Sequence, residues 1–300
     1  MKLYTCNGHA LTEVHDSPYK LEREIQVLFE NNLFLIMGLK LVRSEFTIKN
    51  KRIDTLAFDE QANAFVIIEY KRDRNVSVVD QGFTYLGLML ENKSDFVLEH
   101  QAQLNSRLMV GDVDWTQTRV AFVSTSFTDN QIQATNFKDI AIELWEIRRY
   151  SNETVYINPI KKSRTATSIK PLTQQNSELR AITDEIKVYT EDDHRAVASE
   201  ETFELYETFR DAILKLADDI ELKPQKFYIA FKRDKNIACI VLQKKKLRLH
   251  ISAKWGELED ARGMAKDVSN IGHYGTGDYE IQVDSDRDIE YIMSLIKQLV

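Results

Sequence analysis

Asp54, Glu69 and Lys71 are the residues whose types and spacing could do chemistry. In Arg52-Ile53-Asp54-Thr55-Leu56-Ala57-Phe58 a single acid interrupts an apolar, β-rich run. One hairpin later, Phe65-Val66-Ile67-Ile68-Glu69-Tyr70-Lys71 starts almost continuously apolar and ends in Glu69 and Lys71. A run of that kind marks a central strand buried on both faces, where charge is costly. Strand side chains alternate, so Glu69 and Lys71 point to the same face.

Two carboxylates on paired strands with a lysine beside them suit hydrolysis of a phosphodiester. Hard oxygen ligands bind Mg²⁺, which takes one or two protein carboxylates and fills its remaining positions with water and substrate phosphate oxygens. The ion supplies charge stabilisation and an activated water. Lys71 would orient that water, lower its pKa or stabilise charge developing on the phosphate. The expected cofactor is therefore Mg²⁺ or Mn²⁺, with Asp54 and Glu69 as ligands.

Each residue alone has a plainer reading, because Glu-x-Lys is common on solvated strands. The conjunction favours function: the pair ends an otherwise apolar strand, and the second acid sits one hairpin earlier. Gln81 and Tyr85 follow at i and i+4, on one face of the next helix. Taken alone, Tyr85 would be a core aromatic and Gln81 a helix-entry polar residue. Glu22 shares a stripe with Ile25 and Phe29, but Glu24 is nearby and acids are favourable near any helix start.

The elements that must position these residues can be read from periodicity. A helix is expected over 21–33, with Asp16, Ser17 and Pro18 as start signals. Strands are expected over 39–48, 52–58 and 64–70, with turns at 49–51 and 60–63. A helix over 78–90, a strand over 119–124, a helix near 130–137 and a strand over 140–150 complete an α/β order with a mixed sheet. The polar stretch 161–177 lacks either periodicity and reads as linker. The expected division is thus 1–160, a linker over 161–199 and a smaller α+β domain over 200–300. That domain should open with a helix over 200–217. A meander of strands at 227–231, 237–242 and 247–251 follows, then a Gly-rich turn at 273–277, a strand at 279–283 and a closing helix at 286–299.

Asp54 followed by Glu69-Tyr70-Lys71 resembles the PD-(D/E)XK, or restriction-endonuclease-like, nuclease signature. Gln81 and Tyr85 match the Gln-x-x-x-Tyr element of RecB-like members, and Glu22 matches the early acidic residue of the superfamily. The order Leu21-Glu22-Arg23-Glu24-Ile25-Gln26, Gly38-Leu39, Glu45, Arg52-Ile53-Asp54, Glu69-Tyr70-Lys71 and Gln81 is most similar to the branch containing the NucS-type mismatch nucleases. The resemblance covers about residues 19–150, and Arg52-Ile53 stand where the superfamily's eponymous Pro would precede the acid. It implies a restriction-endonuclease-like mixed sheet flanked by helices, a metal held by Asp54, Glu69 and Glu22, catalytic support from Lys71, Gln81 and Tyr85, and nucleic acid, chiefly DNA, as substrate. The C-terminal half resembles a domain of unknown function attached to such modules. The rival reading is a catalytically silent nucleic-acid-binding or protein-adaptor module on the same fold.

Composition bounds the remainder. At 300 residues, 43% hydrophobic and 29% charged, the chain is of ordinary globular type. Cys6 and Cys239 are too few for a disulfide framework or a zinc site, and a reducing, cytoplasmic setting is expected. No leader or membrane-spanning run is apparent. The six histidines are scattered, and neither a P-loop nor a dinucleotide fingerprint occurs.

A net charge of −7 argues against coating nucleic acid by bulk charge, but the surplus is local. Residues 221–254 carry ten Lys or Arg against two acids, and residues 255–300 carry four against ten. Along 246–251, Lys246, Arg248 and His250 alternate with Leu247, Leu249 and Ile251. A solvated face is one reading, and a phosphate-contacting ridge with Trp255 stacking on a base is the other. The acidic remainder would suit a protein partner for this domain, and a homodimer stays open.

Overall fold

Apolar runs on both sides of the hairpin turns assemble into a six-stranded mixed sheet that carries the candidate site. The computed structural model describes residues 2–72, 77–163, 165–233 and 235–300. The chain divides into two units, Met1–Val188 and Tyr189–Val300. No helix among the described residues is long and apolar enough to cross a membrane.

The first unit opens with an antiparallel hairpin, β1 (Leu3–Asn7) and β2 (Ala10–Val14), which the sequence reading did not anticipate. The helix expected over 21–33 is broken into α1 (Glu22–Asn31) and α2 (Leu33–Met37). At the break, the Asn32 side chain donates to the Leu28 carbonyl at 2.8 Å. α2 ends at Gly38, whose φ of 68° gives the left-handed cap that glycine accepts without strain.

The sheet runs β3 (Lys40–Ile48), β4 (Lys51–Asp59), β5 (Ala64–Lys71), β6 (Arg119–Ser124), β7 (Ile142–Arg149) and β8 (Val155–Pro159), in that spatial order. β3–β4, β4–β5 and β7–β8 are antiparallel, whereas β5–β6 and β6–β7 are parallel. The first parallel crossover passes through α3 (Val78–Glu91) and α4 (Lys93–Leu104), the second through α5 (Asp129–Thr135). α4 was not anticipated, because Asn92-Lys93-Ser94-Asp95 looks like a turn and Phe96, Val97 and His100 are its buried residues. Along β5, Val66, Ile68 and Tyr70 pack with Ile25 and Phe29 of α1, while Phe65 and Ile67 join the core under α3 and α4. That parity turns Glu69 and Lys71 toward the α3 side.

The expected linker is corrected as far as residue 188. α6 (Lys170–Thr173) and α7 (Ser177–Glu185) pack on the first unit, with Ile169 and Ile186 buried in the same core as α3. A Cβ at Gly87 of α3 would lie 3.2 Å from Ile182 of α7. The apolar anchors are sparse and set among Ser, Thr and Gln, so composition hid them. Arg164 of that stretch lies outside the described residues.

In the second unit, α8 (Glu191–Arg195) and α9 (Glu200–Leu214) precede a second six-stranded sheet. Its order is β13 (Lys266–Asp267), β14 (Tyr279–Val283), β12 (Leu247–Ile251), β11 (Asn236–Leu242), β10 (Ile229–Lys232) and β9 (Glu221–Pro224), with all neighbours antiparallel. The expected meander is β10–β12; the edge strands β9 and β13 were not foreseen. Asp234, in the expected 232–236 turn, lies outside the described residues. α9 and α10 (Ile289–Ile296) cover one face, burying Tyr206, Phe209, Leu247, Leu249, Ile281 and Leu295 in one core. The α/β sheet flanked by helices, followed by a smaller α+β unit, is the architecture expected from the sequence.

Candidate active site

Register brings the two acids together. Thr55 pairs with Ile68 in the antiparallel β4–β5 ladder, so the next step places Asp54 beside Glu69. The backbone N–H of Asp54 donates to Glu69 Oε1 at 3.2 Å, and the N–H of Tyr70 donates to Asp54 Oδ2 at 3.1 Å. Glu69 is only 2% exposed. Its other oxygen, Oε2, accepts from Lys71 Nζ at 3.2 Å and from Gln81 Nε2 at 3.1 Å. Gln81 Nε2 also lies 3.2 Å from the Tyr85 hydroxyl, which donates to the Arg52 carbonyl at 3.3 Å. Asp54, Glu69, Lys71, Gln81 and Tyr85 therefore form one connected group.

α3 is held close enough to reach Glu69. The Ser77 side chain caps its first turn by accepting from the Asp80 N–H at 3.3 Å. At Gly82, a Cβ would fall 2.4 Å from Ile142 Cδ1 on β7, so the helix lies against the sheet one residue beyond Gln81.

Both acids are disposed to hold protons. Burial pushes the Asp54 carboxyl up from its ordinary value; the Tyr70 N–H and Lys71 act in the opposite direction, and Glu45 and Glu22 add to the rise. Burial also raises Glu69, followed by the charge of Asp54, with Lys71 and the Asp54 N–H opposing. Burial and the Glu69 charge raise the Tyr85 phenol. Gln81 Oε1 is buried and has no hydrogen-bond partner among the described residues.

Glu22 is placed differently from the expectation. It is exposed, and its Oε1 accepts from the Arg72 N–H at 2.8 Å, which ties α1 to the end of β5. Its charge is felt at Asp54. Among the described residues, however, no three His, Cys, Asp or Glu side chains gather as a metal-holding cluster. Glu22, expected as a third metal ligand, thus has one carboxylate oxygen engaged by the backbone just past β5.

Sequence reasoning missed a polar layer behind Asp54. Gln26 Nε2 donates to the Asp54 carbonyl at 2.9 Å and to Glu30 Oε1 at 3.0 Å, and Thr55 Oγ1 donates to the same Glu30 oxygen at 2.6 Å. The signal was present, since Glu22, Gln26 and Glu30 recur at intervals of four along one helix face. Glu45, with φ of 54°, is held by Arg23 at 3.1 Å and Arg52 at 3.0 Å. A positive φ at a non-glycine residue stores strain that sequence does not reveal.

The basic ridge expected in the second unit does not run as an open face. Lys246 Nζ donates to Gln282 Oε1 at 2.7 Å, and Arg248 approaches Glu280 at 3.8 Å. His250, expected on an exposed phosphate-contacting face, is only 1% exposed and stacks on the His273 ring at 4.7 Å. The alternation places it correctly opposite Leu249, but the loop carrying His273 covers that side. The loop is pressed down at Gly277, where a Cβ would lie 2.0 Å from the Ile251 carbonyl oxygen. Trp255, expected to stack on a base, packs against Tyr279 at 4.6 Å while remaining 46% exposed.

Comparisons with known proteins give a close relative and partial structural likenesses. A family model described as a domain of unknown function (DUF5655) matches residues 191–298. An uncharacterized protein of Haemophilus influenzae is 52% identical over 300 residues, covering 100% of this chain and 99% of that protein. Among solved structures, an EndoMS–dsDNA2 complex is similar with a TM-score of 0.30 and 19% identity, over 45% of this chain and 50% of that one. A repair endonuclease from Pyrococcus abyssi gives a TM-score of 0.25 and 17% identity, over 43% and 47%. The chain spans about half the length of these solved structures.

Proposed function

We propose that this chain, which belongs to the same family as the Haemophilus influenzae protein, is a metal-dependent nuclease whose first unit hydrolyses phosphodiester bonds, with DNA as the expected substrate. The observation that carries the reading is the buried Glu69 carboxylate, set beside Asp54 and held by Lys71 and Gln81 at 3.2 and 3.1 Å. Two desolvated acids side by side are unfavourable when both are charged, and a divalent cation would relieve that repulsion. Their hard oxygens suit Mg²⁺ or Mn²⁺, which need no more than two carboxylates from the protein. A bound ion would supply charge stabilisation and an activated water.

The chain's own residues have separable roles in this reading. The Tyr70 N–H fixes the Asp54 carboxylate and the Asp54 N–H fixes Glu69, so each strand orients the other's acid. Lys71 would place its ammonium against the reacting phosphate, where it stabilises developing negative charge. Gln81 keeps Glu69 Oε2 in place, and Tyr85 steadies Gln81. The side chain of Lys71 is only 18% exposed, which limits competing solvation by water.

The test is a cleavage screen over single-stranded, duplex, branched and mismatched DNA and over RNA, with Mg²⁺, Mn²⁺ or chelator, using Asp54→Ala as control. Metal-dependent cleavage that the control lacks is the expected result. Cleavage that survives both chelator and the Asp54→Ala substitution would overturn the reading.

A further inference from the structure

In the second unit, polar side chains gather on the sheet face turned away from α9 and α10. Arg248 and His250 project there from β12, opposite the core residues Leu247, Leu249 and Ile251. With Lys244, His273, Tyr274 and Val197 they line a cavity of about 660 Å³. Pockets for small organic ligands span about 300–1,000 Å³, so this one has room for more than a bare inorganic anion.

Two atoms on its lining residues lack hydrogen-bond partners among the described residues although they are buried: Arg248 Nε and His250 Nδ1. Buried polar atoms are normally paired, so both point to a partner outside the described residues. Arg248 Nη1 and His250 Nε2 each approach Glu280 Oε2 only to 3.8 Å.

Burial, then the charge of His273, pushes His250 down to about 4, so its ring is neutral at pH 7. The Glu280 carboxylate favours the tautomer with the proton on Nε2, which leaves a lone pair on Nδ1. The cavity thus presents cationic donors at Arg248 and Lys244, with the unpaired His250 acceptor buried in its wall. A ligand that satisfies both carries an anionic group with an O–H or N–H nearby. Tyr274, stacked on Phe227 at 4.3 Å, adds an aromatic wall.

We propose that this cavity binds a nucleoside phosphate, with the phosphate on Arg248 and Lys244 and a sugar hydroxyl or base amino group on His250 Nδ1. A free nucleotide and the phosphorylated end of a nucleic-acid strand share this chemistry. The site is independent of the nuclease reading, because it uses no metal and no residue of the first unit.

The experiment is calorimetric titration of the full chain, with chelator present, using ribo- and deoxyribonucleoside 5′-monophosphates, inorganic phosphate and adenosine. At least one monophosphate should bind with Kd below about 1 mM, more tightly than either phosphate or adenosine. Lys244 is exposed, so Lys244→Ala should keep the fold, and it should weaken binding by about tenfold, as expected for a lost charged hydrogen bond. Arg248→Lys tests the second contact while keeping a cation beside Glu280.

Single-stranded oligonucleotides with a 5′-phosphate or a 5′-hydroxyl separate the two sources. A preference for the phosphorylated strand supports the strand end, and monophosphate binding without that preference supports the free nucleotide. The proposal falls if neither monophosphates nor the phosphorylated strand bind, if inorganic phosphate binds as tightly as the nucleotides, or if Lys244→Ala and Arg248→Lys both leave affinity unchanged.

Discussion

Asp54 and Glu69 are bound to each other's strands: the Asp54 N–H donates to Glu69 at 3.2 Å, and the Tyr70 N–H beside Glu69 donates to Asp54 at 3.1 Å. Neither carboxylate can swing without breaking a bond to the opposite strand. The sheet itself, rather than a loop, therefore sets the distance between the two acids.

Substituting the charged members should separate chemistry from folding. Asp54→Asn, Glu69→Gln and Lys71→Met are each expected to lower cleavage by about 10²-fold or more, the scale seen when a preorganised electrostatic group is removed. The circular dichroism spectrum should be unchanged, because Ile53, Leu56, Ile67 and Ile68 keep the strands packed. Near-normal cleavage by purified Glu69→Gln would remove Glu69 from the mechanism.

Gln81 and Tyr85 should rank in a fixed order. Tyr85→Phe removes a hydroxyl that contacts Gln81 and the Arg52 carbonyl, a loss worth about 0.5–1.5 kcal/mol, so cleavage should fall by about tenfold at most. Gln81→Ala should cost more, since it leaves Glu69 Oε2 to Lys71 alone, and Gln81→Glu should cost most by setting a third negative charge there. A Tyr85→Phe variant that cleaves more weakly than Gln81→Glu would contradict this ranking.

Much of this site could be read from sequence because strand alternation and i, i+4 spacing are local rules. The apolar run before Glu69 fixed β5, and spacing alone put Gln81 and Tyr85 on one face of α3. What sequence could not supply was competition for a side chain. Glu22 lies on the expected helix face, yet the Arg72 N–H takes its oxygen. His250 has the expected parity, yet a distant loop held close by Gly277 covers it. The stretch 161–188 looked like a linker because Ile169 and Ile186 are isolated anchors whose partners lie far away in the chain.

Metal binding should appear as stability even before any substrate is found. A ligand that binds only the folded chain adds about 2.7 kcal/mol at one hundred times its Kd. Mn²⁺ or Mg²⁺ should therefore raise the melting temperature of the wild type in a concentration-dependent way, with little effect on Asp54→Asn or Glu69→Gln. An equal rise in all three proteins would place the ion elsewhere.

The raised carboxyls at Asp54 and Glu69 make a signed prediction about pH. Because burial lifts both above their ordinary values, the folded chain holds these protons more tightly than the unfolded chain. The associated stability is complete below the ordinary carboxyl pKa, about 4, and is lost as pH rises through the raised folded values. Asp54→Asn removes one of the two charges but retains an oxygen to accept the Tyr70 N–H. In chelator, the variant should be more stable than wild type at pH 7 by about 0.5–2 kcal/mol, with the advantage vanishing below about pH 4. Urea denaturation across that range measures it. Added Mn²⁺ should narrow or reverse the difference at pH 7, since only the wild type retains both acids to bind it. An advantage independent of pH would mean that Asp54 is not held in the folded chain against its charge.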